Sequence, residues 1–243
     1  MNELYLLLIF SILPALGTFL GGLVAEIFTI SRNTYSLSLH AAAGIILAVI
    51  SVVLLPEALK TSSPTIIVLA FVGGGIFFII IDNLINFIQG RSGNEDSTTA
   101  WAIFMGVALD SFTDGLMIGT GSLINIQLGL FLALGVVLAD IPEGFANIAA
   151  FKEKKLNRKI RIVLNFLASL PVIVGALLGY FLISGEPIIV KYSVLAFTAG
   201  ILLTVTAEEI IPESHRNGEA RLAALVLVVS FAIFILLSTY IQI

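Results

Sequence analysis

The 243-residue sequence predicts an all-α integral membrane protein, eight transmembrane helices in a three-two-three inverted-repeat bundle. Three observations predict it. First, 58% of the residues are apolar and 12% are charged, against about 25% charged in an ordinary soluble domain, and the mean hydropathy is +1.10. A water-soluble globule of this size cannot hide so much apolar surface, which excludes a soluble enzyme or nucleic-acid-binding protein. Second, apolar runs of about 20 residues, the length that crosses a bilayer, can be read eight times along the chain. Third, motifs in the first half recur in the second, on spans that run the opposite way.

The first span, about Leu4–Phe28, is preceded by no Lys or Arg and is too long for the apolar core of a cleavable signal, so it reads as a membrane helix. Leu39–Ala58 follows and ends in Leu54-Leu55-Pro56-Glu57. Thr65–Ile88 is the third span; the polar stretch Gln89–Thr99, with Gly90, Gly93 and Asn94, is its linker to the fourth. Spans four and five, Ala100–Leu123 and Ile126–Phe151, carry acids in their interiors. Ile160–Ile183, Ile188–Ile211 and Ala220–Ile241 complete the eight. The whole of 1–243 is expected to form one transmembrane domain, with spans one to three over about 4–88, the central pair over 100–151 and the last three over 160–241.

Basic residues set the orientation. Arg32, Arg91, Lys152, Lys154, Lys155, Arg158, Lys159, Arg161, Arg216 and Arg221 lie in or beside the odd-numbered loops, whereas Lys60 and Lys191 lie on the other side. By the positive-inside rule the odd loops are cytoplasmic and both termini extracytoplasmic. The six basic residues between spans five and six read as a topology anchor facing anionic lipid headgroups. The net charge of −4 offers no basic footprint for nucleic acid. Without cysteine there is no disulfide, thiolate ligand or cysteine nucleophile.

The repeat is visible in two places. Ala42-Ala43-Gly44-Ile45-Ile46-Leu47-Ala48-Val49 in span two aligns without a gap, through Pro56-Glu57, with Thr198-Ala199-Gly200-Ile201-Leu202-Leu203-Thr204-Val205 and Pro212-Glu213 in span seven. Span four carries Asp110-Ser111-Phe112-Thr113-Asp114-Gly115 and span five Ala139-Asp140-Ile141-Pro142-Glu143-Gly144. Each pair runs oppositely through the membrane. Inverted repeats of this kind are a signature of secondary transporters, whose sites lie near the midplane at the repeat interface.

Asp110, Asp114, Asp140 and Glu143 lie well inside spans, where each carboxylate costs about 3 kcal/mol, and no Lys or Arg lies deep in any span to offset them. Protons, water or a bound cation must do so. Asp110 and Asp114, four residues apart, share one helix face; Asp140 and Glu143, three apart, share another. On neighbouring antiparallel helices these faces meet at one level. Pro142 cannot donate to the Leu138 carbonyl, so that oxygen is free as a ligand or the helix has a hinge there. Ser111 and Asn147 add neutral oxygens. A group of hard oxygen donors in a low-dielectric cavity suits a divalent cation. Glu208, Glu209, Glu213 and His215 at the cytoplasmic end of span seven form a candidate exit route. Glu26, Asp82 and Glu57 read as helix-end residues without a site role, and His40 as a boundary residue.

At these residues the chain resembles the ZIP family, the zinc- and iron-regulated-type metal transporters, over nearly its whole length. The resemblance rests on the span-two segment through Leu54-Leu55-Pro56-Glu57-Ala58, Ala108-Leu109-Asp110-Ser111-Phe112-Thr113-Asp114-Gly115-Leu116, Asp140-Ile141-Pro142-Glu143-Gly144 and Glu208-Glu209-Ile210-Ile211-Pro212-Glu213. It implies the same eight spans, outside termini and three-two-three repeat. The family's span-four motif is His-Asn-x-Pro-Glu-Gly; here Asp110 stands at the histidine, Ser111 at the asparagine, Thr113 at the proline and Asp114 at the glutamate. Ala139 stands where relatives often carry His or Gln. The span-six stretch from Leu170-Pro171 has no acid where relatives carry Glu-Pro.

The expected function is movement of a divalent ion into the cytoplasm, with Asp110, Ser111, Asp114, Asp140 and Glu143 as ligands. Zinc follows family habit, and all-oxygen ligation admits manganese and iron(II). The ion is substrate, and no cofactor is expected. Membrane lipid is a partner, a homodimer is compatible with the reading, and the membrane expected is a prokaryotic plasma membrane. Two other readings stand beside this one: an intramembrane aspartyl protease using Asp110 and Asp140 as a dyad, and a membrane metal sensor that does not transport.

Overall fold

The computed structural model describes residues 3–28, 31–90, 95–215 and 220–241. Among these residues there is no strand, and eight helices are long and apolar enough to cross a membrane. They are α1 (Glu3–Ile27), α2 (Arg32–Ala58), α3 (Pro64–Gly90), α4 (Glu95–Ile124), α5 (Ile126–Glu153), α6 (Arg158–Ile183), α7 (Ile188–His215) and α8 (Ala220–Ile241). Helix takes up most of the stretch expected as the linker Gln89–Thr99; 91–94 lie outside the described residues, as does Arg216.

Local chemistry sets several of the starts. Ser31 accepts from the Thr34 amide at the head of α2, Asn125 from Gln127 at α5 and Asn157 from Ile160 at α6, so side-chain oxygens satisfy amides that the first helical turn leaves open. Pro171 breaks α6 into Arg158–Ser169 and Pro171–Ile183, with Ser169 Oγ donating to the Phe166 carbonyl at the break. By contrast, α5 runs unbroken through Pro142.

The helices gather into two groups. In the first, α1 packs on α5, α4 on α6, and α4 on α5; in the second, α3 packs on α7, α8 on α2, and α2 on α7. The main contacts between the groups are α2 on α5 and α4 on α7. The grouping in space therefore differs from the three-two-three order along the chain. Exchanging the first three helices for the last three, and α4 for α5, turns each of these neighbour pairs into another of them or into itself.

Glycine permits the tightest crossings. A Cβ on Gly144 would collide with the Thr18 carbonyl of α1, and one on Gly115 with the Val172 carbonyl of α6; Gly44 and Gly200 meet the Leu227 and Phe71 carbonyls of α8 and α3 in the same way. Gly44 and Gly200 occupy matching places in the span-two and span-seven motifs. Those motifs share a second feature. The turns Val49–Leu54 and Thr206–Ile210 are π-helical, and Leu55 N bonds Ile50 O as Ile211 N bonds Thr206 O. Pro56 and Pro212 follow at once and cannot donate the next helical bond, which accounts for the wide turn at both places.

Outward from this core, α3 exposes Val68, Leu69, Val72, Ile76 and Ile80, and α8 exposes Leu225, Val228, Val229, Ile233 and Leu236. Such unbroken apolar faces match a lipid surround. At the end that carries the α5–α6 turn, Lys152 Nζ donates to the Ala25, Glu26 and Phe28 carbonyls, closing the last turn of α1. Arg161 holds Glu26 through two nitrogens, with Nε to Oε2 at 3.0 Å. Arg158 Nε lies 3.7 Å from Glu26 Oε1, so three of the six basic residues in this region are tied to α1.

Candidate metal site

The four acids of α4 and α5 arrive in one buried region because the helices are adjacent and antiparallel. Asp110, Asp114 and Asp140 are 8%, 6% and 4% exposed, and Ser111 is buried beside Asp110. Asp110 and Glu143 lie within hydrogen-bond reach of each other, and Asp110, Asp114, Asp140 and Glu143 are near enough for their charges to act on one another. Asp110 Oδ1 and Glu143 Oε1 are buried without a hydrogen-bond partner. Asp140 Oδ2 differs: it accepts from Thr18 Oγ1 of α1 at 2.8 Å. Among the described residues, no three acids or histidines are spaced around one point as ligands of a bound ion would be.

A cavity of about 880 Å³ lies where the two groups meet, walled by α2, α3, α4, α5 and α7. Asp110 and Glu143 stand on its wall, whereas Asp114 and Asp140 do not. It runs from these two acids to the exposed Glu153 and Lys154 at the α5–α6 turn. Asn147 is on the wall, one helical turn beyond Glu143.

Three of the four residues expected along an exit route, Glu208, Glu209 and Glu213, line this cavity. The π turn of α7 carries the first two. Glu209 points toward α4, its Oε2 being 3.6 Å from where a Cβ of Gly106 would lie, and Glu213 Oε1 accepts from the Tyr35 hydroxyl at 3.3 Å. His215 is not on the wall. Its ring lies edge-on to His40 at 4.9 Å, with Nδ1 against the Ile211 carbonyl at 2.8 Å.

His40 is a correction to the sequence reading. It is fully buried, its Nδ1 2.8 Å from the Ser36 carbonyl and its Nε2 3.3 Å from Ser214 Oγ. It thereby fastens the start of α2 to the end of α7. Asp82, read as a plain helix end, stands on the cavity wall. Glu57 is paired with Lys60 at 2.7 Å, as a residue without a site role would be. The sequence reading missed Asp82, Thr18 and Tyr35, because their importance comes from helices far apart in the chain. One usable signal was overlooked: Gly106-Val107-x-Leu109 precedes Asp114-Gly115 just as Gly135-Val136-x-Leu138 precedes Glu143-Gly144.

Comparison with known proteins places these features. A family model described as ZIP zinc transporter matches residues 90–238, more than half of the chain. The chain is similar to the zinc transporter ZupT of Chlorobium phaeovibrioides, 28% identical over 97% of this chain and 98% of that protein. It is also similar to the zinc transporter GufA of Myxococcus xanthus, 30% identical over 68% of this chain and 66% of that protein. Human zinc transporter ZIP6 matches at 27% identity over half of this chain, which is 16% of its own length.

Proposed function

The chain belongs to the ZIP zinc transporter family, and on that premise we propose that it carries a divalent metal ion across the membrane into the cytoplasm through the carboxylate site between α4 and α5. It is a membrane transporter and not an enzyme, with the metal as its substrate. Asp110, Ser111, Asp114, Asp140 and Glu143 are the proposed ligands, and Glu208, Glu209 and Glu213 the route of release.

The observation that carries the reading is the pair of orphaned oxygens, Asp110 Oδ1 and Glu143 Oε1. Two buried carboxyls with no donor beside them are expensive unless they share a proton or hold a cation, and both residues line a cavity that leads to one surface of the bundle. No Lys or Arg occurs within α4 or in α5 before Lys152, so a cation drawn from the cavity is the natural counter-charge. Zinc is the first ion to test, given the names of the relatives. The donor set is all oxygen, with His215 turned away, which suits manganese and iron(II) as well.

For mechanism, we read the two gatherings of helices as the two bodies that move. The ligands sit in the group of α1, α4, α5 and α6, while Glu208, Glu209 and Glu213 sit in the group of α2, α3, α7 and α8. Movement of one group against the other closes this cavity and opens its counterpart by the inverted repeat, which is alternating access around a fixed site. The basic residues at the α5–α6 turn support a cytoplasmic position for the present opening. Charge on Asp110 and Glu143 offsets dehydration of the ion, and its release toward Glu208 and Glu209 avoids a single closed cage that would trap it.

Uptake into reconstituted vesicles tests the reading, with zinc, manganese and iron(II) each supplied alone. Asp110→Ala and Glu143→Ala are expected to lower flux by more than about 100-fold, a ligand counting for at least as much as its supporting residues. Unchanged flux in both variants would remove the site. Metal binding with no flux in the unaltered protein would instead favour a sensor.

A further inference from the structure

We propose that Thr18 of α1 is a positioning residue for Asp140, and that its hydroxyl sets how tightly the carboxylate site holds its ion; this rests on the reading of that site as the metal site. Thr18 is 2% exposed and reaches Asp140 Oδ2 across 122 residues of sequence. Its single hydroxyl proton has two acceptors, Asp140 Oδ2 at 2.8 Å and the Pro14 carbonyl at 3.1 Å, and the shorter contact goes to the carboxyl. The neighbouring glycines make this bond possible. Gly144 lies against the Thr18 carbonyl, Gly21 against the Ile141 carbonyl, and a Cβ on Gly17 would stand 3.6 Å from the Asp140 Cβ. With ordinary side chains at these places the two backbones would be held apart and the hydroxyl would not reach.

The other half of the chain supplies an internal comparison. A Cβ on Gly115 would meet the Val172 carbonyl of α6 as one on Gly144 meets the Thr18 carbonyl of α1, and Gly175 of α6 lies against the Phe112 carbonyl of α4 as Gly21 of α1 lies against the matching Ile141 carbonyl of α5. At the place of Thr18, α6 therefore has the buried Val172; at the place of Asp140, α4 has Ser111. The hydroxyl on the outer helix accompanies the acid and is absent where the acid is absent. Simple packing does not require that pairing, because Val172, of the same shape without the hydroxyl, fills the equivalent position.

The chemical consequence is preorganisation. One oxygen of Asp140 is anchored to α1, so the carboxyl has one fixed aim and Oδ1 is left for the shared site. Freed of Thr18, the carboxyl rotates about its own bonds and must be ordered again each time an ion binds. Outer partners that orient ligands are typically worth about 10- to 100-fold in metal affinity.

The experiment is zinc uptake in vesicles for Thr18→Val, which keeps the shape and removes the hydroxyl, Thr18→Ser, which restores it, and Asp140→Asn. Thr18→Val is expected to raise KM about 10- to 100-fold with Vmax within about twofold, and Thr18→Ser to return KM to near the original. Thr18→Ala replaces Thr18→Val if the valine variant does not fold. An unchanged KM in the hydroxyl-free variant, while Asp140→Asn raises it, overturns the positioning role and leaves the site intact. An unchanged KM in Asp140→Asn overturns Asp140 as a ligand and the positioning role with it. Equal loss of Vmax in the valine and serine variants marks Thr18 as structural only and also overturns the proposal.

Discussion

The end of α2 and the end of α7 are built alike and furnished differently. Both carry a glycine pressed on a neighbouring carbonyl, a π-helical turn and a proline directly after it. On α7 that turn presents Glu208 and Glu209 to a cavity open to the surface. On α2 the matching residues are Val52 and Val53, in a turn where Val49, Val53 and Leu54 are 3%, 6% and 0% exposed. The facing glycines repeat the contrast. A Cβ on Gly106 would stand at ordinary contact distance, 3.6 Å, from Glu209 Oε2, whereas one on Gly135 would press into Val49 and Phe234. The same backbone device lines an acidic cavity at one end and is apolar and closely packed at the other. Shared backbone therefore carries the symmetry of the two halves, and a few side chains carry the direction.

That contrast can be broken from the closed side with the largest effect. Val53→Glu places on α2 the acid that α7 has at Glu209, but in packed surroundings with no cavity beside it. It is expected to cost about 3 kcal/mol, seen as a fall in the thermal midpoint of the detergent-solubilised protein. Retention of the original midpoint would mean that the outer turn is already hydrated. In the reverse exchange, Glu209→Val gives the inner turn the outer chemistry. Vmax of zinc uptake is expected to fall about tenfold, since the acids concentrate cations along the route, with no loss of thermal stability because a partly buried acid is removed. An unaltered Vmax would take Glu209 off the route. The smallest effect is at the matched pair Glu57 and Glu213. Glu57 is tied to Lys60, whose side chain is 60% exposed, so Lys60→Met should shift stability by less than about 1 kcal/mol. A larger loss would show that this pair holds the outer end shut.

Much of this was legible in the order of residues. Length and polarity of the runs placed the eight spans, and the i,i+4 and i,i+3 spacings put Asp110 with Asp114 and Asp140 with Glu143, because helix periodicity is a local property. The match of Gly44 through Pro56 with Gly200 through Pro212 anticipated two helices of one design, though the wide turn was not foreseen. His40 was undervalued because its partners, Ser214 and His215, lie more than 170 residues away. Asp82 looked like any helix-end acid until α3 was seen beside the cavity.

The sequence by itself determined that the chain lives in a membrane, where its eight spans fall along the chain, and which acids lie too deep to be left without a counter-charge. Those facts follow from composition, hydrogen bonding within a helix and the cost of charge in hydrocarbon, all of which act over a few residues. Only the tertiary structure decided that Asp110 and Glu143 face the cavity while Asp114 and Asp140 lie behind it, and that Asp140 is held by Thr18. It also decided that the helices gather by fours rather than in their serial order. Such outcomes depend on which glycine faces let two backbones meet, and that choice is made between helices far apart in the chain.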